Sequence, residues 1–104
     1  MARFDVYKHP DPQLRKSTPF LLDVQNEFLD GLTTRVVIPM RIGTSFVLRA
    51  RDLNPAFTIE GKEVVLDTAA MAAFPSLQLP VPTHNLKNVA ETVTAALETL
   101  FGSY

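Results

Sequence analysis

Few side chains in this sequence are of the types that do chemistry, and their spacing does not gather them. The two histidines, His9 and His84, lie far apart, each in a loop bordered by prolines. Neither has a carboxylate at the spacing of a metal or general-base site, so we expect both to be surface loop residues. There is no cysteine, which excludes a disulfide framework, a thiolate metal site and a cysteine nucleophile together.

Asp23 is the acidic residue best placed for a role in catalysis. It lies in a predicted strand and points, with Gln25, away from the strand's apolar residues. A catalytic acid is one interpretation, but no second carboxylate is fixed beside it. We favour a hydrogen-bonded strand carboxylate, or an interface residue, on the outer face of the sheet. The serines form no nucleophile elbow and the glycines no phosphate loop, so the sequence predicts neither an enzyme nor a metal or cofactor.

Four arginines form the only concentration of basic residues: Arg35, Arg41, Arg49 and Arg51. Gathered on one face, they could hold RNA phosphates, as a small ribonuclease would require. Acidic residues are interspersed along the whole chain, however, and Phe46 is the one aromatic residue near enough to stack on a base. A solvated strand face is therefore the favoured interpretation.

The composition is that of an ordinary globular chain. With 104 residues, 46% of them hydrophobic, and a net charge of −1, the chain predicts one domain spanning residues 1–104 with one core. A generic nucleic-acid binder is disfavoured by this charge. The N-terminus has no apolar run that would form a signal peptide, and no stretch approaches the length of a membrane span. We expect a cytoplasmic protein that does not contact membranes.

Alternating apolar residues predict most of the strands. They indicate a first strand at residues 2–8 and a hairpin from Phe20 to Met40, with a long loop at about residues 26–33. Pro39 is expected near a strand end or on an edge. A short strand is predicted at residues 46–50, with helix as the alternative. A second hairpin is predicted at residues 56–66, with Glu60-Gly61 as its tight turn.

The last third of the chain predicts mainly helix. Alanine-rich Thr68 to Phe74 has the length of two helical turns before Pro75, and Leu77 with Leu79 indicates one more short strand. Apolar residues from Leu86 to Leu100 recur every three or four positions, which predicts an amphipathic helix. Thr83 or Asn85 is expected to cap its start and Gly102 to end it. The fold class is therefore mainly β: a small antiparallel, barrel-like sheet with a second hairpin and one C-terminal helix.

Some apolar residues stand where polar ones are usual. Phe28 and Leu29 lie in the hairpin loop, and Phe101 and Tyr104 lie at the chain end. One interpretation is that Phe28 folds under the hairpin and Phe101 completes the core face of the helix. The other is a protein-binding surface, in which such aromatics anchor in a partner.

Several short motifs follow one another in a fixed order. They are Phe4-x-Val6-Tyr7, Asp23-Val24-Gln25 followed by Asp30, Arg35 to Pro39, Leu53 to Pro55, and Thr68 to Ala72 with Pro75. In this order the chain resembles the CcdB-type toxins of bacterial toxin-antitoxin modules. The resemblance runs without a gap from about Phe20 to Met40 and again from Leu53 to Pro75.

This resemblance implies a homodimer with a fold related to SH3-like barrels, in which the C-terminal helices lie near the two-fold axis. Toxins of this type are not enzymes and use no cofactor. They bind the A subunit of DNA gyrase and trap the enzyme covalently joined to cleaved DNA. A CcdA-like antitoxin neutralises them, and the chain would meet operator DNA only indirectly, through that antitoxin.

The resemblance also assigns residues by position. The gyrase-binding surface would comprise seven residues: Phe28, Leu29, Glu98, Phe101, Gly102, Ser103 and Tyr104. We assign the antitoxin contacts to Tyr7, His9, Asp23 and Gln25. Gly102-Ser103-Tyr104 stands where the family has Trp-Gly-Ile, and Ala70 replaces an acidic residue. The altered chain end leaves open a non-toxic or retargeted member that keeps antitoxin binding. The arginine cluster leaves open a MazF-like ribonuclease.

Overall fold

The computed structural model describes residues 1–43 and 50–102. Within these residues, seven strands and one α-helix follow each other along the chain. They are β1 (Asp5–Lys8), β2 (Phe20–Asp23), β3 (Thr34–Ile42), β4 (Ala56–Ile59), β5 (Lys62–Leu66), β6 (Ala72–Pro75), β7 (His84–Asn85) and α1 (Ala90–Phe101). Short 3-10 turns occupy residues 14–16, 27–29, 68–70, 76–78 and 87–89. The strand predicted at residues 46–50 lies largely outside the described residues.

All strand pairs are antiparallel, in the order β4-β5-β3-β2-β1-β7. The long strand β3 pairs with β2 along one side. Along its other side it has two neighbours, because β6 pairs with its first half and β5 with its second. The result is a sheet curled into a half barrel with one C-terminal helix. The fold class predicted from the sequence is confirmed.

The main core lies between one face of the sheet and α1. Phe20, Leu22 and Val24 of the predicted alternation all belong to it, together with Val93 and Ala96 of the helix. Full burial of a side chain such as Val93 contributes about 1.5–3 kcal/mol. A smaller cluster on the opposite face contains Tyr7, Leu21, Val37 and Leu79. The sheet is thus covered on both faces at its centre.

Both predicted hairpins are confirmed. In β2–β3, Leu22 faces Ile38 and Asp23 faces Val37. In β4–β5 the turn residues Glu60 and Gly61 both have positive φ, 53° and 76°, as the tight primed turn of a two-residue hairpin requires.

Pro39 lies inside β3 rather than at its end, so its expected position is wrong in that respect. Its carbonyl accepts a bond of 2.9 Å from the Asp67 amide, and the amide nitrogen of a strand residue points to the same side as its carbonyl. On that side the neighbour of β3 changes from β6 to β5. The missing N–H of Pro39 therefore faces a break in the strand pairing.

Two predicted elements are wrong. Thr68 to Phe74 is not a two-turn helix, because only residues 68–70 form a 3-10 turn and Ala72–Pro75 is β6. The open edge of β3 at Thr34–Val37 takes β6 as its partner, which outweighs the helical preference of alanine. Leu77 and Leu79 form no strand, since residues 76–78 are a 3-10 turn.

The predicted terminal helix is confirmed, although its α-helical part begins later than its apolar pattern. Asn85 Oδ1 accepts from the Lys87 amide at 2.8 Å, just before the 3-10 turn that leads into α1. The N-cap of α1 is Val89, without a side-chain cap, so the expected cap at Thr83 or Asn85 is wrong. Thr83 instead bonds to Val6 of β1. Gly102 ends the helix with φ 72°, and its amide donates to the Glu98 carbonyl at 2.8 Å.

Candidate partner-binding surface

The loop between β2 and β3 presents apolar side chains to solvent. Residues 26–34 are all exposed, and Phe28 is 90% exposed, with Leu29 and Leu32 about half exposed. The interpretation in which Phe28 folds under the hairpin is therefore wrong. Several apolar side chains exposed together in one loop are typical of a surface that contacts a partner.

Local hydrogen bonds give this loop a defined backbone. The Asn26 side chain accepts from the Phe28 amide at 2.9 Å, and the Asn26 carbonyl accepts from the Leu29 amide at 3.0 Å. The Leu32 amide then donates to the Leu29 carbonyl at 3.2 Å. Side chains of the Asn type commonly start turns in this way. The two apolar residues are thus held on a short 3-10 turn at Glu27–Leu29.

Directly below the loop lies a buried ion pair. Both side chains of Asp23 and Arg35 are fully buried, and Arg35 donates from Nε at 2.8 Å and from Nη2 at 2.9 Å to the two carboxylate oxygens. The Tyr7 hydroxyl donates to the same carboxylate at 3.1 Å. Such a two-pronged bond fixes the guanidinium in one plane. The preferred interpretation of Asp23 as a hydrogen-bonded strand carboxylate is confirmed.

Two sequence expectations about this face are wrong. Asp23 and Gln25 point away from the main core as predicted, but they are not on an outer, solvated face, since each is at least nine-tenths buried. Arg35 is not part of a solvated strand face either. The hairpin register explains the pairing: Asp23 lies opposite Val37, so Arg35 is its diagonal neighbour on the same face. The pair can be found in the sequence only once this register is known.

Gln25 connects the ion pair to the loop. Its backbone amide donates to Asp23 Oδ1 at 3.0 Å, and its backbone carbonyl accepts from Arg35 Nη2 at 3.2 Å. Its side chain accepts from the Val36 amide at 2.9 Å and donates to the Leu29 carbonyl at 3.4 Å. Three of the four residues assigned to the antitoxin, Tyr7, Asp23 and Gln25, are thereby brought together.

The contacts around the ion pair shift the pKa values of Arg35 and Tyr7. The hydrogen bond to Asp23 raises the pKa of Arg35, so the guanidinium stays charged at any ordinary pH. Burial raises the pKa of the Tyr7 hydroxyl, and the charge of Asp23 raises it further. The Tyr7 hydroxyl therefore stays protonated and donates its hydrogen bond to Asp23.

The end of α1 is the second exposed apolar site. Phe101 is 70% exposed, so the interpretation in which it completes the core face is wrong. Glu98, one helical turn earlier, is also exposed, and residues three apart share one side of a helix. Gly102 follows directly, while Ser103 and Tyr104 lie outside the described residues. Their assignment to the gyrase-binding surface stays a prediction.

His9 lies at a separate concave site. It is 8% exposed, contrary to the expected surface histidine, and its Nδ1 accepts from the Asp11 amide at 3.0 Å. Burial lowers its pKa, while the nearby Asp11 raises it by less. It borders a cavity of about 500 Å³ with Phe74 and Leu14. Sequence reasoning missed this cavity, since Phe74 reaches it from a predicted helix that is β6.

His84 agrees with the sequence in its exposure, but it lies in β7 and not in a loop. Its side chain is 40% exposed, and its Nδ1 lies 3.8 Å from the Glu60 carboxylate.

Metal ligation and the arginine concentration are the two chemical features of the sequence that the described residues address. No group of three or more metal-ligating side chains comes together among them. Arg41 is bound to Asp67 at 2.7 Å and to Thr18 at 2.8 Å, so two of the four arginines are held by acidic partners and Arg49 is outside the described residues. Arg35 and Arg41 are therefore not part of a free basic face among the described residues. No helix in residues 1–43 and 50–102 is long and apolar enough to cross a membrane.

Comparison with known proteins gives one clear match. A model of the CcdB family, described as CcdB protein, matches residues 3–102. The matched range contains the exposed loop, the buried ion pair and the end of α1. None of the curated proteins compared with the chain matches it.

Proposed function

Since the chain belongs to the CcdB family, we propose that it is a toxin that binds the A subunit of DNA gyrase and traps the complex of gyrase with cleaved DNA. The observation that carries this proposal is the family match over residues 3–102. Toxins of this family are not enzymes, so the ribonuclease alternative is set aside. The proposed mechanism is binding alone: preferential binding to one state of a partner shifts that partner toward it.

The exposed aromatic residues support such a mechanism. Phe28 and Phe101 are 90% and 70% exposed, and large aromatics are the residues that most often dominate the energy of protein interfaces. We assign the gyrase contacts to Phe28, Leu29, Glu98, Phe101 and the chain end from Gly102. The antitoxin contacts assigned to Tyr7, His9, Asp23 and Gln25 stay a proposal. Tyr7 and Asp23 have no exposed surface and Gln25 is nine-tenths buried, so these three would act by supporting the loop, while His9 borders a cavity.

A homodimer is part of the proposal. In the single chain only Val93 and Ala96 of α1 are fully buried, while Leu97 and Leu100 are half-buried. A second copy related by a two-fold axis would cover the rest of this face. The proposal further includes a CcdA-like antitoxin, contact with operator DNA only through that antitoxin, and a cytoplasmic location.

The test is expression of the chain in bacteria without an antitoxin. We expect growth arrest and DNA breaks covalently linked to gyrase, together with capture of a gyrase A fragment by the purified chain. Phe28→Ala should abolish all three effects. Leu77→Ala is the matched control, because Leu77 is 99% exposed and lies outside the proposed surface. Normal growth at good expression, with no capture of gyrase A, would refute the proposal.

A second candidate function rests on the chain end. Because Gly102-Ser103-Tyr104 lacks the family's tryptophan, the chain is alternatively a member that keeps antitoxin binding and has lost or changed its toxic target. Replacing these residues by Trp-Gly-Ile should then confer toxicity on an inert parent. Toxicity of the unaltered chain would eliminate this alternative.

A further inference from the structure

The guanidinium of Arg35 has one donor group left over. Its Nε and Nη2 atoms are bonded to Asp23 and Gln25, but Nη1 is buried and has no hydrogen-bond acceptor. The nearest carboxylate to it across the loop is that of Asp30, whose Oδ1 lies 3.9 Å away. A buried donor without an acceptor lowers the stability of the fold. The position of Nη1 next to a loop carboxylate therefore suggests that this carboxylate can become its acceptor.

We propose that Arg35 is the positioning residue of the partner-binding loop, and that Asp30 is the acceptor through which the loop closes onto it. The proposal rests on the proposed function, because it explains how Phe28 and Leu29 are presented to gyrase A. It assigns to Arg35, Gln25 and Asp30 a role in the orientation of this loop, without any contact of their own with gyrase A.

The start of the loop is tied to Arg35 through the backbone. Arg35 Nη2 bonds to the Gln25 carbonyl at 3.2 Å, at the last buried position before the exposed residues 26–34. Gln25 then reaches over the turn to the Leu29 carbonyl at 3.4 Å. The backbone that carries Phe28 is thereby anchored to the Arg35 guanidinium, which Asp23 in turn holds in place.

Asp30 lies on the far side of the same turn. Its carboxylate is 58% exposed and faces two cations, Arg35 Nη1 at 3.9 Å and the Met1 ammonium at 3.5 Å. A movement of about 1 Å would bring it to the 2.7–2.9 Å of a charge-assisted hydrogen bond. Closure would satisfy the last free donor of Arg35 and move Leu29, the preceding residue. A loop that is held in its bound geometry loses less conformational entropy on binding.

Two substitutions separate positioning from direct contact. Asp30→Asn removes the charge that faces Nη1. Gln25→Glu keeps the oxygen that accepts from the Val36 amide but removes the donor to the Leu29 carbonyl. Glu27→Gln is the matched control, because it removes an exposed carboxylate from the same loop. Each chain is measured for thermal unfolding, for affinity to a gyrase A fragment, and for hydrogen exchange of the Leu29 and Leu32 amides without partner.

We expect Asp30→Asn and Gln25→Glu to weaken gyrase binding about tenfold and to speed exchange of both amides about tenfold. Glu27→Gln should change either value less than twofold, and Asp30→Asn should leave the unfolding temperature within a few degrees, since Asp30 is exposed. Unchanged exchange in both variants overturns the proposal, even where affinity falls, because the residues then act by contact. Unchanged affinity in both variants of a chain that binds gyrase also overturns it.

The two proposals fail separately in this experiment. If the unaltered chain does not bind the gyrase fragment, the proposed function is refuted, while amide exchange in the free chain still decides whether Asp30 and Gln25 hold the loop. If the chain binds gyrase and the exchange rates do not respond, only the positioning role is refuted.

Discussion

Replacing Asp23 by asparagine should be among the most damaging single substitutions in the chain. The change leaves the side-chain volume nearly the same but removes the counter-charge of Arg35, whose side chain is 0% exposed. Breaking a buried ion pair from one side costs about 3–5 kcal/mol, because an uncompensated charge is left in the interior. A domain of this size has a total stability of about 5–15 kcal/mol. At about 4 °C per kcal/mol, the unfolding temperature falls by at least about 12 °C.

The structure provides a matched control for this prediction. Asp67 forms an ion pair with Arg41 at 2.7 Å, as short as the buried pair, but the side chains are 18% and 33% exposed. Asp67→Asn makes the same chemical change where water can solvate the remaining cation, so its cost should be about 1 kcal/mol or less. The difference between the two substitutions then measures the effect of burial.

The assay is urea unfolding followed by circular dichroism at pH 7, at one fixed protein concentration, because oligomers unfold in a concentration-dependent way. The midpoint should fall much further for Asp23→Asn than for Asp67→Asn with an unchanged slope. Combining Asp23→Leu, Arg35→Met and Tyr7→Phe removes both charges and the hydroxyl that bonds to Asp23, and should be less destabilising than Asp23→Asn alone. Equal losses for Asp23→Asn and Asp67→Asn would refute the reasoning.

Three further predictions concern single residues. The pKa of His9 is lowered by burial, so the unfolded chain binds more protons and stability falls as the pH drops below about 6.5. His9→Asn keeps an acceptor for the Asp11 amide and should lose this pH dependence. The check is the difference between the urea midpoints at pH 7.5 and pH 5.5, and an equal difference in the parent and in His9→Asn would contradict the prediction. Glu60→Asn should stabilise the second hairpin by up to about 1 kcal/mol, since asparagine tolerates the φ of 53° better, and an unfolding temperature below that of the parent would count against it. Gly102→Ala should cost about 1 kcal/mol, because φ is 72° there, and no loss on calorimetry would show that the helix end relaxes.

The elements that the sequence predicted well are those in which local pattern and tertiary contact agree. Phe20, Leu22 and Val24 alternate because one face of β2 lies on the core, and that face is where the structure places them. Glu60-Gly61 predicts its turn because positive φ is required at both positions. In α1, Val93 and Ala96 follow the helical period and are buried. In each case the residue types needed locally are also those needed by the fold.

The wrong predictions arise where distant residues decide the outcome. Alanine-rich Thr68 to Phe74 has a helical preference, but the unpaired edge of Thr34–Val37 gives its second half a strand partner. Asp23 was expected to face solvent because polar residues that alternate with apolar ones usually do. Its burial depends on Tyr7 and Arg35, which lie 16 and 12 positions away. Such partners become visible only after the register of the strands is known.

The buried ion pair and the exposed Phe28 are best understood together. A loop that keeps an aromatic side chain 90% exposed cannot be ordered by burying that side chain in its own core, so its order must come from polar bonds. Buried apolar residues would stabilise the sheet as well as Asp23 and Arg35 do, but they would offer no donor to the Gln25 carbonyl or to Asp30. In the positioning role proposed for Arg35, the ion pair helps to hold this apolar turn in place at the surface, and a loop that is already ordered loses less conformational entropy on binding a partner.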